Sequence, residues 1–365
     1  MPETADRELT EATHPAAFGV YVHIPFCAKR CDYCAFATWT DRHHLIDSYL
    51  DALVADIARH APTMPIADTI FVGGGTPTLV PADGLARVIE AIPRSPSAEI
   101  TVESNPDDVT VEMMRTYAAA GVNRVSIGVQ SMVPDVLTAL GRTHVAANVE
   151  RAVAAVRAAG LPTFNLDLIY GGAGERLADW ERTVAGAIAL DPPHISAYAL
   201  TVEAGTPLAL DPARHPDDDD LADKYELADT MLAAAGLGNY EVSNWAKPGH
   251  ECRHNLVYWH QGDYQGFGCA AHSHREGRRF WNVRTPERYI SLVADDESVT
   301  ASGEQLDTEE RRLEGLQLQI RLREGVEREA LDGDGLPGLV ELHDDRWVLT
   351  QRGRLMANEV AIRLR

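Results

Sequence analysis

Six short runs rich in β-branched and aromatic residues alternate with alanine-rich amphipathic stretches between Gly19 and about Leu200. The runs are GVYVHI, DTIFVGG, AEITVES, NRVSIGVQ, PTFNLDLIYG and HISAYALT, with segments such as LIDSYLDALVADIARH and VERAVAAVRAAG between them. Connections of that length and period are helical crossovers, so successive strands are expected to pair in parallel with right-handed connections. Such a chain closes toward an α/β barrel or spreads as an open doubly wound sheet. A full barrel takes about eight units. The expectation here is a partial (βα)6 barrel of the TIM type.

The placement of chemistry favours the barrel. Cys27, Gly73 to Thr76, Glu103, Gln130 and Asp167 all fall at the carboxyl ends of successive strands, the rim where barrel sites are assembled. No G-x-G-x-x-G follows the first strand, which makes a dinucleotide fold the weaker alternative. Three glycines ahead of Thr76-Pro77 let the backbone come close to a ligand or make a tight turn. Glu103 and Asp167 interrupt apolar strands, where a carboxylate needs a partner. A sulfonium, an ammonium or ribose hydroxyls would serve, and so would Arg124 or Arg142 as a buried ion pair. Gln130 offers an amide for hydroxyl or carboxylate recognition.

Three of the five cysteines stand on one loop as C-x3-C-x2-C: Cys27, Cys31 and Cys34. Structural zinc and an ordinary 4Fe-4S cluster take four ligands. Three thiolates hold three corners of a 4Fe-4S cube and leave one iron open to chelate the amino and carboxylate groups of S-adenosylmethionine. The competing readings are a zinc site completed by His23 and a surface thiol cluster. Lys29 and Arg30, between the first two cysteines, either offset cluster charge or face solvent.

An odd number of cysteines, three of them clustered, points to a reducing cytoplasm and away from a disulfide framework. Lysine and arginine total 33 against 55 aspartates and glutamates, a formal charge of -22 that repels nucleic acid. No apolar run reaches membrane-spanning length, so no transmembrane anchor is expected, although peripheral association stays open. Residues 1–17 read as a disordered lead-in and not as a signal peptide. The acidic run Asp217 to Asp220 reads as the start of a helix over roughly 219–235, not as a calcium loop. The expected organisation is a barrel with its cysteine loop over 18–240 and a histidine- and aromatic-rich segment over 241–300. A smaller α+β, winged-helix-like domain with a two-stranded wing follows over 301–365, packed on the barrel and not on DNA.

With these residues assembled, the chain resembles the oxygen-independent coproporphyrinogen III oxidase-like family of the radical S-adenosylmethionine (SAM) superfamily. The resemblance rests on YVHIPFC at 21–27, GGGTPT at 73–78, VESNPD at 102–107, RVSIGVQS at 124–131, LGRTH at 140–144, NLDLIYG at 165–171 and HNLVYW at 254–259. It implies a 4Fe-4S cluster on Cys27, Cys31 and Cys34, with S-adenosylmethionine as the exchangeable fourth ligand. It also implies SAM sites lined by Tyr21, Tyr33, Gly74, Gly75, Thr76, Pro77, Glu103, Gln130, Arg142 and Asp167.

Two departures bear on activity. Phe36 stands where the oxidase carries a further cysteine, and only 26 residues precede Cys27. Both are features of the family's heme-carrying members. The resemblance therefore implies a carrier that binds heme and hands it to an acceptor hemoprotein, expected in the respiratory chain, with a flavodoxin or ferredoxin as electron donor. Heme takes an axial His, Cys or Met in an aromatic pocket. His250, Cys252, His254, His260, Cys269 and His272 lie in or beside HNLVYW, and His254 is the first candidate. The other reading of His254 is that, with Asn255, it fixes a turn under the barrel. The enzyme alternative is the oxidase of porphyrin biosynthesis, which decarboxylates coproporphyrinogen III, and a third is a radical enzyme on an unrelated substrate.

Overall fold

The computed structural model describes residues 17–365. The lead-in expected over 1–17 thus lies, apart from its last residue, outside the described residues.

Six parallel strands follow one another in sequence order across the sheet: β1 (Gly19–Ile24), β2 (Ala67–Gly74), β3 (Arg94–Ser104), β4 (Arg124–Gln130), β5 (Thr163–Tyr170) and β6 (His194–Ala199). Their crossovers carry α1 (Ile46–His60), α2 (Ala82–Glu90), α3 (Val111–Ala119), α4 (Pro134–Ala139), α5 (Ala146–Ala158) and α6 (Leu177–Ala189). Two of these helices, α3 and α6, carry side-chain caps at their N-termini. Thr110, for instance, accepts the Met113 N–H through its side chain at the start of α3. On α1, Tyr49, Leu50, Leu53 and Ile57 make the buried face.

Alternation along each strand sorts the two faces. Val20, Val22, Ile70, Val72, Val125, Ile127, Leu166 and Leu168 are buried in the main apolar core. The intervening residues include Thr101, Ser126, Asn165, Asp167 and Ser196, which line a polar cavity of about 220 Å3 enclosed by the curved sheet. Barrel interiors are ordinarily filled by branched apolar side chains; this one is lined by polar and charged groups, Glu103, Arg124 and Asp167 among them, and lies beneath the rim.

The curve does not close. Two antiparallel strands, β7 (Gly238–Glu241) and β8 (Asn244–Ala246), cover the free edge of β6, after α7 (Asp218–Ala234). On the other edge, beyond α8 (Arg253–Trp259), β9 (Tyr264–Phe267) pairs in parallel with β1. The antiparallel strands β10 (His272–Arg275), β11 (Arg278–Asn282) and β12 (Thr300–Gln305) extend it, with α9 (Pro286–Ala294) between the last two. The partial (βα)6 barrel expected from the sequence is therefore the middle of a twelve-stranded sheet. Capping both edges satisfies backbone groups that an incomplete barrel leaves open. The acidic run before α7 acts as a cap, with the Asp217 side chain accepting the Asp220 N–H.

After α10 (Thr308–Gln319) the tail builds its own small sheet from β13 (Val326–Glu327), β14 (Val340–His343) and β15 (Arg346–Leu349), in the order β13-β15-β14. The wing has three strands, where the sequence suggested two. The missed strand is two residues long, too short to show a period. A separate apolar cluster including Ile320, Val326, Leu336 and Val360 underlies the sheet. The last helices, α11 (Gln351–Leu355) and α12 (Ala357–Ala361), tie back to α7 through the Arg354–Asp229 ion pair at 2.6 Å.

Candidate cofactor site

The cysteine loop leaves the carboxyl end of β1 and is pinned at both ends by its backbone. Cys27 N–H donates to the Trp39 carbonyl at 3.1 Å, and Trp39 N–H donates to Pro25 at 2.7 Å. In the middle, Asp32 pairs with Arg214 at 3.0 Å and its carbonyl accepts the Leu208 N–H. The loop thus hangs over the barrel mouth without regular structure of its own, which leaves Cys27, Cys31 and Cys34 as free thiols lining one cavity of about 480 Å3. Burial pushes the Cys27 and Cys34 thiols up from their ordinary range. Thr76 Oγ1 lies 3.7 Å from Cys27 Sγ, and Arg142 Nη1 lies 3.7 Å from Cys31 Sγ. Among the described residues no three His, Cys, Asp or Glu side chains are gathered as if around one ion. The thiolates of a cube each take a different iron.

The glycine run shapes the opposite wall. A Cβ on Gly75 would stand 2.6 Å from the Phe26 carbonyl and 3.0 Å from Cys27 Sγ, so only glycine lets this backbone pass beneath the loop. Gly74, at φ 111°, turns its N–H onto Glu103 Oε2 at 3.1 Å. Gln130 lies across the cavity with φ at 61°, left-handed for a residue with a side chain, where the β4–β5 register slips between Gly128 and Gln130. Irregularities of this kind re-aim side chains at sites.

The two strand carboxylates reach the same cavity. Burial, and next the charge of Asp167, push the Glu103 carboxyl up to about 8, with the Gly74 N–H pulling the other way. Burial also raises Asp167, against hydrogen bonds from Ser126 Oγ and Asn165 Nδ2, each 2.7 Å long. Neither acid forms an ion pair among the described residues. Arg124 is spent on the His250 carbonyl at 2.9 Å, and Arg142 on Gly128 and Cys31. The buried ion pair weighed for these carboxylates is not what the fold builds. Two acids that face the cavity without an ion-pair partner among the described residues fit a cationic guest such as a sulfonium or an ammonium.

Tyr33, Gly74, Gly75, Thr76, Pro77, Glu103, Gln130, Arg142 and Asp167 line the cavity together with the three cysteines. Two expected residues do not. Tyr21 points inward one layer deeper, its hydroxyl 3.0 Å from His23 Nδ1, and borders the polar interior and a different chamber. His254 is fully buried, Nδ1 against Thr69 Oγ1 and Nε2 against the Tyr258 hydroxyl, both at 2.8 Å. Burial drives its pKa down to about 3. With both nitrogens engaged in hydrogen bonds, His254 offers no free lone pair to an iron in this arrangement. Its segment instead seats α8: Glu99 accepts the Arg253 and His254 N–H groups at 3.2 and 3.1 Å. Sequence reasoning missed Ser126 and Asn165, which hold Asp167. Their signal was polarity at alternate strand positions.

A second chamber of about 820 Å3 opens beside the loop, floored by β9 to β11 and sharing Ala35 and Phe36 with the cysteine cavity.

A cysteine-rimmed partial barrel with these features is the form of the radical SAM superfamily, whose family model matches residues 21–185. Coproporphyrinogen III oxidase (HemN) from Escherichia coli, described as a radical SAM enzyme, shares the fold at a TM-score of 0.83 with 22% identity, over 95% of this chain and 89% of that one. A protein of Mycobacterium tuberculosis named heme chaperone HemW is 42% identical over 94% of this chain and 93% of its own length. Proteins of the same name from Escherichia coli, 36% identical, and Bacillus subtilis, 35% identical, each cover 93% of this chain. The chain belongs to the HemW family of radical SAM proteins.

Proposed function

We propose that this chain is a heme carrier that holds a 4Fe-4S cluster and S-adenosylmethionine and hands heme to an acceptor hemoprotein of the respiratory chain. The observation that carries the reading is the likeness, over nearly the whole chain, to relatives named heme chaperones. Phe36, 62% exposed, adds support, because an aromatic ring stands where the oxidase type carries a thiol.

In this reading Cys27, Cys31 and Cys34 hold the cluster, which when bound supplies an open iron and an electron for the sulfonium. Glu103 and Asp167 face the cationic end of S-adenosylmethionine, and Gln130 offers its amide. Arg142 steadies Cys31 and offsets thiolate charge. The glycine run admits the ligand backbone-close. The cluster draws on a reduced flavodoxin or ferredoxin in the cytoplasm. No helix of the described residues is long and apolar enough to cross a membrane, so a membrane-bound acceptor would be met from its surface.

Anaerobic reconstitution of the cluster, followed by parallel assays of heme uptake and of coproporphyrinogen III conversion, tests the proposal. Stoichiometric heme uptake, and its transfer to an apo-hemoprotein, without formation of protoporphyrinogen is the expected result. Turnover of coproporphyrinogen III would replace the carrier by the oxidase.

A further inference from the structure

The 820 Å3 chamber beside the cysteine loop has a size and lining suited to a large, mostly apolar ligand. Strand β10 sends His272 and His274, two residues apart, toward it from one face. A histidine can ligate iron only where a ring nitrogen carries a reachable, uncommitted lone pair.

Most histidines nearby fail that requirement. His23 engages the Tyr21 hydroxyl and the Ala37 carbonyl at 3.0 and 2.9 Å. His254 is committed at both nitrogens. His274 holds the Gly262 carbonyl through Nδ1 at 3.0 Å, and its Nε2 has no partner but is enclosed, the residue being 3% exposed.

His272 alone meets the requirement among these four. It is exposed, neither ring nitrogen makes a hydrogen bond among the described residues, and its ring stacks on Trp281 with centroids 5.6 Å apart. Phe36, Tyr264 and Trp281 give the chamber aromatic walls, and Arg284 stands exposed at its edge without an ion-pair partner among the described residues.

An apolar planar ring with an iron at its centre and carboxylates on one edge matches that arrangement. We propose that this chamber is the heme seat, with His272 as an axial ligand of the iron and Arg284 on a propionate. The inference rests on the heme-carrier reading and adds the site to it.

The test is hemin titration of the full-length, cluster-reconstituted protein, followed by the Soret band and electron paramagnetic resonance, with iron-free protoporphyrin IX alongside. His272→Ala is expected to lose the histidine-ligated spectrum and to weaken hemin about tenfold or more, as removal of even a supporting metal-site partner does. Added imidazole restores the spectrum, while affinity for the iron-free ring stays unchanged. Arg284→Gln weakens both rings. An unaltered hemin spectrum in His272→Ala overturns the seat, as does a spectrum that moves with His274→Ala instead. In either case heme uptake by the parent protein leaves the carrier reading standing. If the parent protein takes up no hemin, both fall together.

Discussion

Arg142 spans the mouth of the barrel with its guanidinium fork, Nη1 3.7 Å from Cys31 Sγ and Nη2 3.2 Å from the Gly128 carbonyl. One side chain thereby ties the cysteine loop to the strand that ends in Gln130. Replacing it removes both a positive neighbour of the thiolate and a tether. Arg142→Ala is expected to lower cluster retention about tenfold, the scale of a lost supporting contact at a metal site. Iron and sulfide content after anaerobic gel filtration measures it. Retention equal to the parent's would show that Arg142 does not support the loop.

Glu103 supplies a pH signature. Its carboxyl lies at about 8, above an ordinary 4.5, so the unliganded protein keeps it mostly protonated at neutral pH. A cationic guest favours the carboxylate, so S-adenosylmethionine affinity is expected to rise as pH climbs through about 8 and then to level off. Equilibrium dialysis across that range reads it, and Glu103→Gln should give a flat and weaker profile. Stability runs the opposite way. The raised carboxyl contributes fully below 4.5, and that contribution is lost as pH rises through about 8. A parent protein whose affinity ignores pH would remove Glu103 from the cation's neighbourhood.

His254 is read here as a strut. His254→Ala leaves Thr69 and Tyr258 without their shared partner and opens a void, a loss of about 2 to 4 kcal/mol. The urea midpoint should fall while the Soret position of bound heme stays put. Its depressed pKa adds a second sign: the neutral imidazole contributes above its ordinary 6.5, and the contribution is lost as pH falls toward about 3. A shifted Soret band would return His254 to the iron.

Gln130 trades backbone comfort for position. At φ 61° a glycine is relaxed, so Gln130→Gly is expected to gain about 1 kcal/mol of stability while weakening S-adenosylmethionine binding. Thermal melting and ligand titration of one preparation separate the two. Higher stability with unchanged affinity would mean that the strained residue serves only the bulge.

The sequence made the six parallel strands and most of the cofactor cavity readable because each signal is local. A β-branched run such as GVYVHI ends at Ile24 both as pattern and as strand; Cys27 and Glu103 reveal themselves by standing at strand ends, and Asp167 by its charge in the middle of the apolar run of β5. Tyr21 and His254 lie outside the cysteine cavity, which no motif could reveal, because a motif gives adjacency along the chain but not which layer of a curved sheet a side chain enters. Tyr21 is on the inward face of β1 yet below the rim, and His254 is drawn under the barrel by Glu99, 155 residues away. Strands β9 to β12 could not be foreseen as continuations of the barrel sheet, since β9, which joins them to it, pairs with β1 more than two hundred residues upstream.

Phe36 belongs to two rooms at once, since its side chain borders both the cysteine cavity and the aromatic chamber. A partition shared in this way cannot shift for one occupant without reshaping the space of the other. If S-adenosylmethionine alters the hold on heme by some factor, heme must alter the hold on S-adenosylmethionine by the same factor. Loading at the cluster and release of cargo would then be two ends of one equilibrium, and the ring at position 36 its hinge.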